Sequence, residues 1–383
     1  MTILRRSLIT TGYALALGVP ALAQAQAIKI AGLYELSGAG ATSGTMFKNG
    51  VAMAVKEINE AGGILGKKIE HTVSDTQSNP GVAKGLATKA IDDNAFAVFG
   101  PVFSGSILVS MAETRKAEVP NFTGGEAAAI TKQGNPYIFR TSFTQDTAMP
   151  KVARYIAGTL KAKNVAVLYV NNDFGKGGRD AITKALTEQG AKVVADISTD
   201  SGQVDFSAPV LKAKAANADV LFVYTNEEES ARALRELRKQ GYAKPIVGET
   251  TLTGQKVIEL AGDAANGAIA HVGLTVDAPN PLMLKFKAKF YQETKTISDH
   301  NGIKGYTGVY ALKAAIEKAG KLDRKAVAQA LHGLTISAAK NPGVLMDVSF
   351  DDKGVIDRES FIVEVKDGKQ VVKEVLPALS AKK

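Results

Sequence analysis

Short apolar runs separated by amphipathic stretches recur along this chain in one order. Residues 28–34 (IKIAGLY) form the first apolar run. A Gly/Ser/Ala-rich loop at 37–44 follows, then an amphipathic helix at 50–59 with Val51, Ala54, Val55 and Ile58 on one face. Gly62 and Gly63 stop that helix. A strand at 68–74, a polar loop at 75–80, a helix at 81–92 and a strand at 95–99 complete the unit. The order returns from residue 164: strand 165–170, Gly-rich loop 171–178, helix 179–189, strand 191–197, polar loop 198–205, helix 207–216, strand 219–224, polar segment 225–229 and helix 230–240. Alternating strands and helices of this length predict parallel sheets covered on both faces. Two copies predict two similar α/β lobes. The remainder reads as strands at 244–248 and 269–274, helices at 281–293, 305–319 and 324–331, and closing β structure at 348–350 and 361–365. With no long linker, several short crossings are expected to join the lobes.

In open α/β sheets ligands bind beyond the carboxyl ends of the strands. Those ends are the loops 37–44, 103–106, 171–178 and 225–229, which converge on one cleft if the lobes face each other. The most informative is Gly100-Pro101-Val102-Phe103-Ser104-Gly105-Ser106. It follows a buried strand and opens a helix at Ser104 or Ser106, with Ser as the preferred N-cap. The first amides of that helix have no intrahelical partner and face the cleft, so they suit a small anion.

Composition narrows the partners. The chain has 383 residues, 45% of them hydrophobic, enough for two real cores. Its net charge of +9 comes from scattered Lys and Arg, with no basic-aromatic run, which argues against nucleic acid. Arg5-Arg6, the apolar stretch 8–22 and small-x-small sites at 21–23 and 25–27 form an export signal, cleaved after 23 or as late as 27. Its apolar part is short for a membrane span. Cysteine is absent, which excludes disulfides, a thiol nucleophile and a lipid-anchor Cys. The expected address is the periplasm.

Catalytic signatures are weak. Gly38, Gly40 and Gly44 miss a dinucleotide fingerprint by one residue, and residues 62–68 lack the Ser/Thr of a phosphate loop. His71, His271, His300 and His332 are scattered, reading as surface or strand residues, and no metal site or other cofactor is expected. No G-x-S-x-G marks a Ser nucleophile. Glu227-Glu228-Glu229 reads as a solvated helix start favoured by the dipole. A cleft without an evident catalyst favours binding over turnover.

The sequence resembles the leucine/isoleucine/valine-binding family of periplasmic solute receptors for ABC importers. The resemblance rests on collinear matches over nearly the whole chain after residue 27: 28–38, Gly50-x-x-x-Ala54-x-x-x-Ile58-Asn59-x-x-Gly62-Gly63-Ile64-x-Gly66, Asp75-x-x-x-Asn79-Pro80, Gly100-Pro101-x-x-Ser104-Gly105, Phe139-Arg140-Thr141 and Asp173-Phe174-Gly175-x-Gly177. It implies two Rossmann-like lobes with parallel central sheets, three hinge crossings and an interlobe ligand cleft. The expected lobes are 28–145 with 276–356, and 146–275 with 357–383. It implies a monomer that is not an enzyme, closes on a branched-chain or related amino acid, small carboxylate or amide, and presents it to an inner-membrane permease and its ATPase subunits.

By the same resemblance Ser104 binds the ligand carboxylate beside Phe103, and the loop Thr123, Gly124, Gly125 and Glu126 adds contacts. Phe174 forms an aromatic wall. Asn226 stands near a position where amino-acid receptors often carry Tyr, and Thr250 near one where they carry Glu, with Glu249 adjacent. Asp146 is a further acidic candidate. Alternatives are a ligand sensor for a signalling receptor, or a cleft hydrolase. Glu126 poses a question of its own, because a carboxylate beside an anion site repels a simple acid.

Overall fold

A computed structural model describes residues 27–378; the export signal lies outside them. The strands are β1 (Ile28–Tyr34), β2 (Ile69–Asp75), β3 (Ala97–Phe99), β4 (Asn121–Thr123), β5 (Ile138–Arg140), β6 (Asn164–Val170), β7 (Lys192–Thr199), β8 (Val220–Tyr224), β9 (Ile246–Glu249), β10 (Ile269–Val272), β11 (Thr335–Ile336), β12 (Val348–Phe350), β13 (Ile356–Asp357), β14 (Ser360–Lys366) and β15 (Lys369–Leu376). The helices are α1 (Ala41–Glu60), α2 (Pro80–Asp92), α3 (Ser104–Lys116), α4 (Ala129–Lys132), α5 (Gln145–Arg154), α6 (Asp173–Glu188), α7 (Ser207–Ala215), α8 (Glu227–Lys239), α9 (Gln255–Ala261), α10 (Pro281–Thr294), α11 (His300–Ala319) and α12 (Arg324–Leu331).

Two sheets organise the chain. One is parallel throughout, in the order β2-β1-β3-β4-β5. The other runs β15-β14-β10-β9-β8-β6-β7, parallel except where β14 joins β10 and β15 joins β14. A small antiparallel sheet, β11-β12-β13, accompanies them. The chain passes from the first main sheet to the second after Arg140, and returns after Val272 to build α10 to α12. It passes back before Ser360. The buried Arg358 ties these passages together, donating to the carbonyls of Gly273 (3.2 Å) and Thr141 (3.2 Å).

The apolar runs become strands buried on both faces, as covered parallel sheets require. In β8, Leu221 and Val223 join one core with Leu234 and Leu237 of α8. Val220, Phe222 and Tyr224 join another with Ile182 and Leu186 of α6. In the first lobe Tyr34, Phe47, Phe99, Phe122 and Phe139 pack with Ile303, Val309 and Leu312 of α11.

Two segments read as glycine-rich loops are largely helix. The helix expected from residue 50 begins at Ala41, and the one expected from 179 begins at Asp173. The glycines are there for packing. A Cβ at Gly44 would collide with the backbone of Glu35, just past β1, and one at Gly175 with the Val170 carbonyl at the end of β6. Each helix thus starts pressed against the end of its strand.

In both sheets the strand order reverses direction around a central strand, β1 in the first and β6 in the second. A crevice opens at each reversal, beyond the carboxyl ends of β1 and β3 and of β6 and β8. The two crevices face each other.

Candidate functional site

A cavity of about 200 Å³ lies between the crevices. All four strand-end segments contribute to it: Ala39 and Ser43; Phe103 to Ser106; Asn172 to Phe174; and Asn226 with Glu227.

The first-lobe wall is assembled around β1 and β3. Glu35 is fully buried at the end of β1, and its carboxylate accepts the amides of Val102 and Phe103, each at 3.0 Å. That bond pair fixes the turn into α3. Phe103, rather than a serine, occupies the N-cap position, and Ser104 is the first helical residue. The amides of Ser104, Gly105 and Ser106 have no partner among the described residues, and the buried Ser106 hydroxyl also has none. Ser104 Oγ accepts the Ala127 amide at 3.2 Å and keeps its own proton to donate. Burial raises the Glu35 carboxyl to about 7, against the pull of those two amides.

The loop after β4 is shaped by Arg140, which is wholly buried. Its guanidinium donates to the carbonyls of Gly125 (2.7 Å) and Ala127 (2.5 Å). Glu126 stands between them in sequence and turns the other way. One of its oxygens accepts Lys304 Nζ at 3.2 Å, and the other accepts the Tyr224 hydroxyl at 3.1 Å. Burial, then the nearby Glu249, raise Glu126 to about 7, while Lys304 draws it down. Lys304 answers the question Glu126 raised: the carboxylate beside the anion-facing amides has its own cation, which also donates to the Gly124 carbonyl at 3.2 Å.

The second-lobe wall carries Phe174, whose ring stacks on Tyr224 at 4.2 Å between centroids. Asn172 Oδ1 caps α6 by accepting the Gly175 amide at 2.9 Å. The Asn226 amide nitrogen is buried and unpartnered. Glu227 reaches across to the first lobe. It accepts the Ser43 hydroxyl at 2.9 Å and the Asn301 amide nitrogen at 3.2 Å, with His300 Nε2 at 3.8 Å. Burial first, then Glu228 and Asp299, raise Glu227 to about 8. Burial also drives His300 far below the usual imidazole range, so it is neutral.

Of the residues singled out in the sequence, Phe103, Ser104, Gly124, Gly125, Glu126, Phe174 and Asn226 line the cavity. Three do not. Thr123 is buried in β4 beneath the loop. Asp146 lies half-exposed at the start of α5, paired with Lys132 at 2.6 Å outside the cleft. Thr250 is buried with its amide on Glu249, while Thr251 reaches the cavity. Glu249 itself is turned to His271, whose Nδ1 is 3.0 Å away, and does not line the cavity.

The acidic triplet is not solvated: Glu227 and Glu229 are both buried, because α8 starts inside the cleft. His300 is likewise buried rather than a surface or strand residue, whereas His271 is a buried residue of strand β10. Sequence reasoning missed Lys304, Asn301, His300 and Ser43. A lysine inside the long apolar stretch 302–316 was the signal available for Lys304.

Comparison with known proteins follows this geometry. The family model described as periplasmic binding protein matches residues 27–370. The leucine-, isoleucine-, valine-, threonine- and alanine-binding protein of Pseudomonas aeruginosa is 29% identical over 88% of this chain and 90% of its own length. The branched-chain amino acid transporter substrate-binding protein LivJ of Streptococcus pneumoniae, solved with isoleucine, superposes with a TM-score of 0.83 at 25% identity, over 92% of this chain and 100% of that one. A solute-binding protein of an R. palustris ABC transporter, solved with benzoate, shares the fold with a TM-score of 0.85 at 21% identity, over 92% of this chain and 98% of that one.

Proposed function

The chain belongs to the periplasmic binding protein family, and we propose that it is the solute receptor of an ABC importer, closing on a branched-chain or related amino acid or a similar small carboxylate or amide. One observation carries the reading: the crevices of two α/β lobes face each other across a small cavity, and unpaired α3 amides open into it. A carboxylate docked there takes hydrogen bonds from the Ser104, Gly105 and Ser106 amides and from the Ser104 hydroxyl. Closure excludes water and strengthens each of these contacts. Because groups from both lobes meet only in the closed form, ligand shifts the population toward it.

The lobes are taken as 28–145 with 276–356, and 146–275 with 357–383, turning about passages pinned by Arg358. Residues 1–23 act as the export signal, and the working compartment is the periplasm. No helix among the described residues is long and apolar enough to cross a membrane. The closed form is handed to an inner-membrane permease and its ATPase subunits. Two comparisons support the solute class: LivJ holds isoleucine and the R. palustris protein benzoate.

The test is a thermal-shift panel of amino acids, amides and small organic acids on protein refolded free of retained solute. Stabilisation by at least one class is expected; stabilisation by none would sink the receptor reading.

A further inference from the structure

Of the buried carboxyls described around the cleft, only Glu227 both lines the cavity and has no cation beside it. Glu126 has Lys304. Glu249 lies behind the cavity, bonded to the Thr250 amide, to neutral His271 and to Glu126. Glu227 lines the cavity and is held only by neutral donors, the Ser43 hydroxyl and the Asn301 amide, with neutral His300 beyond them. Unspent polar atoms surround it. Asn301 Oδ1 is buried, lines the same cavity and accepts nothing, and His300 Nδ1 is also unpartnered. A carboxyl oxygen accepts more than one hydrogen bond, so both Glu227 oxygens retain capacity. Acceptors without donors therefore gather at Glu227 and Asn301, while the donors without acceptors are the α3 amides and the Asn226 amide nitrogen.

We infer that the solute is dipolar, and that Glu227 with Asn301 Oδ1 receives its ammonium group while the start of α3 receives its carboxylate. This rests on the receptor reading and gives the cationic pole a residue of its own, in place of the Glu249–Thr250 region. The charged neighbours fit the assignment. Glu228 follows Glu227 on α8 and Asp299 precedes α11, so the field at Glu227 attracts a cation, while Asp173 of α6 lines the cavity beside Gly105. Lys304, the one cation lining the cavity among the described residues, is engaged by Glu126. The raised titration of Glu227 adds a consequence. Closing on a solute that lacks an ammonium protonates it near neutral pH, so such an analogue takes up a proton on binding and the amino acid does not.

Matched triads test this by titration calorimetry near pH 7 in two buffers of different ionisation enthalpy: L-leucine, leucic acid and isocaproic acid, and L-phenylalanine, phenyllactate and phenylpropionate. The amino acid is expected to bind at least about tenfold tighter than either analogue, the range of one buried charge-assisted contact, and without the proton uptake that the analogues show. Glu227→Gln should abolish both the preference and the proton uptake. The wild-type triad does not depend on the variant folding. Acids that bind as tightly as the amines, or a Glu227→Gln protein that keeps the preference, would overturn this assignment and leave the receptor reading standing. Binding by no member of either triad, together with a silent solute panel, would overturn the receptor reading and this one with it.

Discussion

The two walls of the cleft solve the same problem differently. Each buries a carboxyl at the end of a central strand or at the start of a helix. The first lobe supplies the main partners of its carboxyls itself: Glu35 takes the Val102 and Phe103 amides, and Glu126 takes Lys304, with the Tyr224 hydroxyl added from the second lobe. The second lobe offers Glu227, whose partners Ser43 and Asn301 both belong to first-lobe helices. The first wall is therefore built before closure, and the second is completed by it. A preformed anion site and a closure-dependent partner let ligand decide the equilibrium.

The largest expected effect strikes the preformed wall. Lys304→Met leaves Glu126 buried without its cation, at a cost of about 3 kcal/mol in urea unfolding. Adding Glu126→Gln to that variant should recover most of the loss. A single variant as stable as the parent would show that Glu126 is not ionised in the folded protein.

Glu35→Ala orphans two amides and should cost about 2 kcal/mol. Glu227→Ala should change the free protein's stability by no more than about 0.5 kcal/mol, because its partners become hydrated when the lobes part. Equal losses at the two positions would erase the distinction between the walls.

Ser104→Ala should weaken a carboxylate ligand about tenfold, measured by calorimetry, through one lost hydrogen bond. Unchanged affinity would remove Ser104 from the anion site.

The smallest effect is a slope. Glu35 and Glu126 are raised to about 7, above the unfolded 4.5. In this window the folded state holds more protons than the unfolded state, so stability falls as pH rises. His71 and His271, lowered to about 4 and about 3, act oppositely, but only below their unfolded value of 6.5. Between about pH 6.5 and 7.5 the carboxyls dominate, and stability of the ligand-free protein should drop by on the order of 1 kcal/mol. A rise over that interval would contradict the burial of these groups.

Particular residues mark how far the sequence could be read. The apolar run 220–224 announced a strand covered on both faces, and the recurrence of the unit announced two lobes. Ser104 was legible because a strand, a Gly-Pro break and a helical pattern place it at a helix start. The glycines of 37–44 and 171–178 misled, because a glycine that lets a helix press on a strand looks the same in sequence as one that makes a loop. Asp146 and Thr250 lay on the right segments, but orientation sent one to Lys132 and the other into the wall.

Local pattern determined the elements, their parallel arrangement and the helix start at the heart of the cleft. These follow from periodicity, turn chemistry and the handedness of crossover connections, all properties of neighbouring residues. Only the tertiary structure decided the fate of the charges. Glu227 carries no local mark of burial, and the apolar stretch around Lys304 names no partner for it; a charged side chain in a sequence reads as solvated. Packing one lobe against the other removes the water, pairs Lys304 with Glu126 and leaves Glu227 without a countercharge.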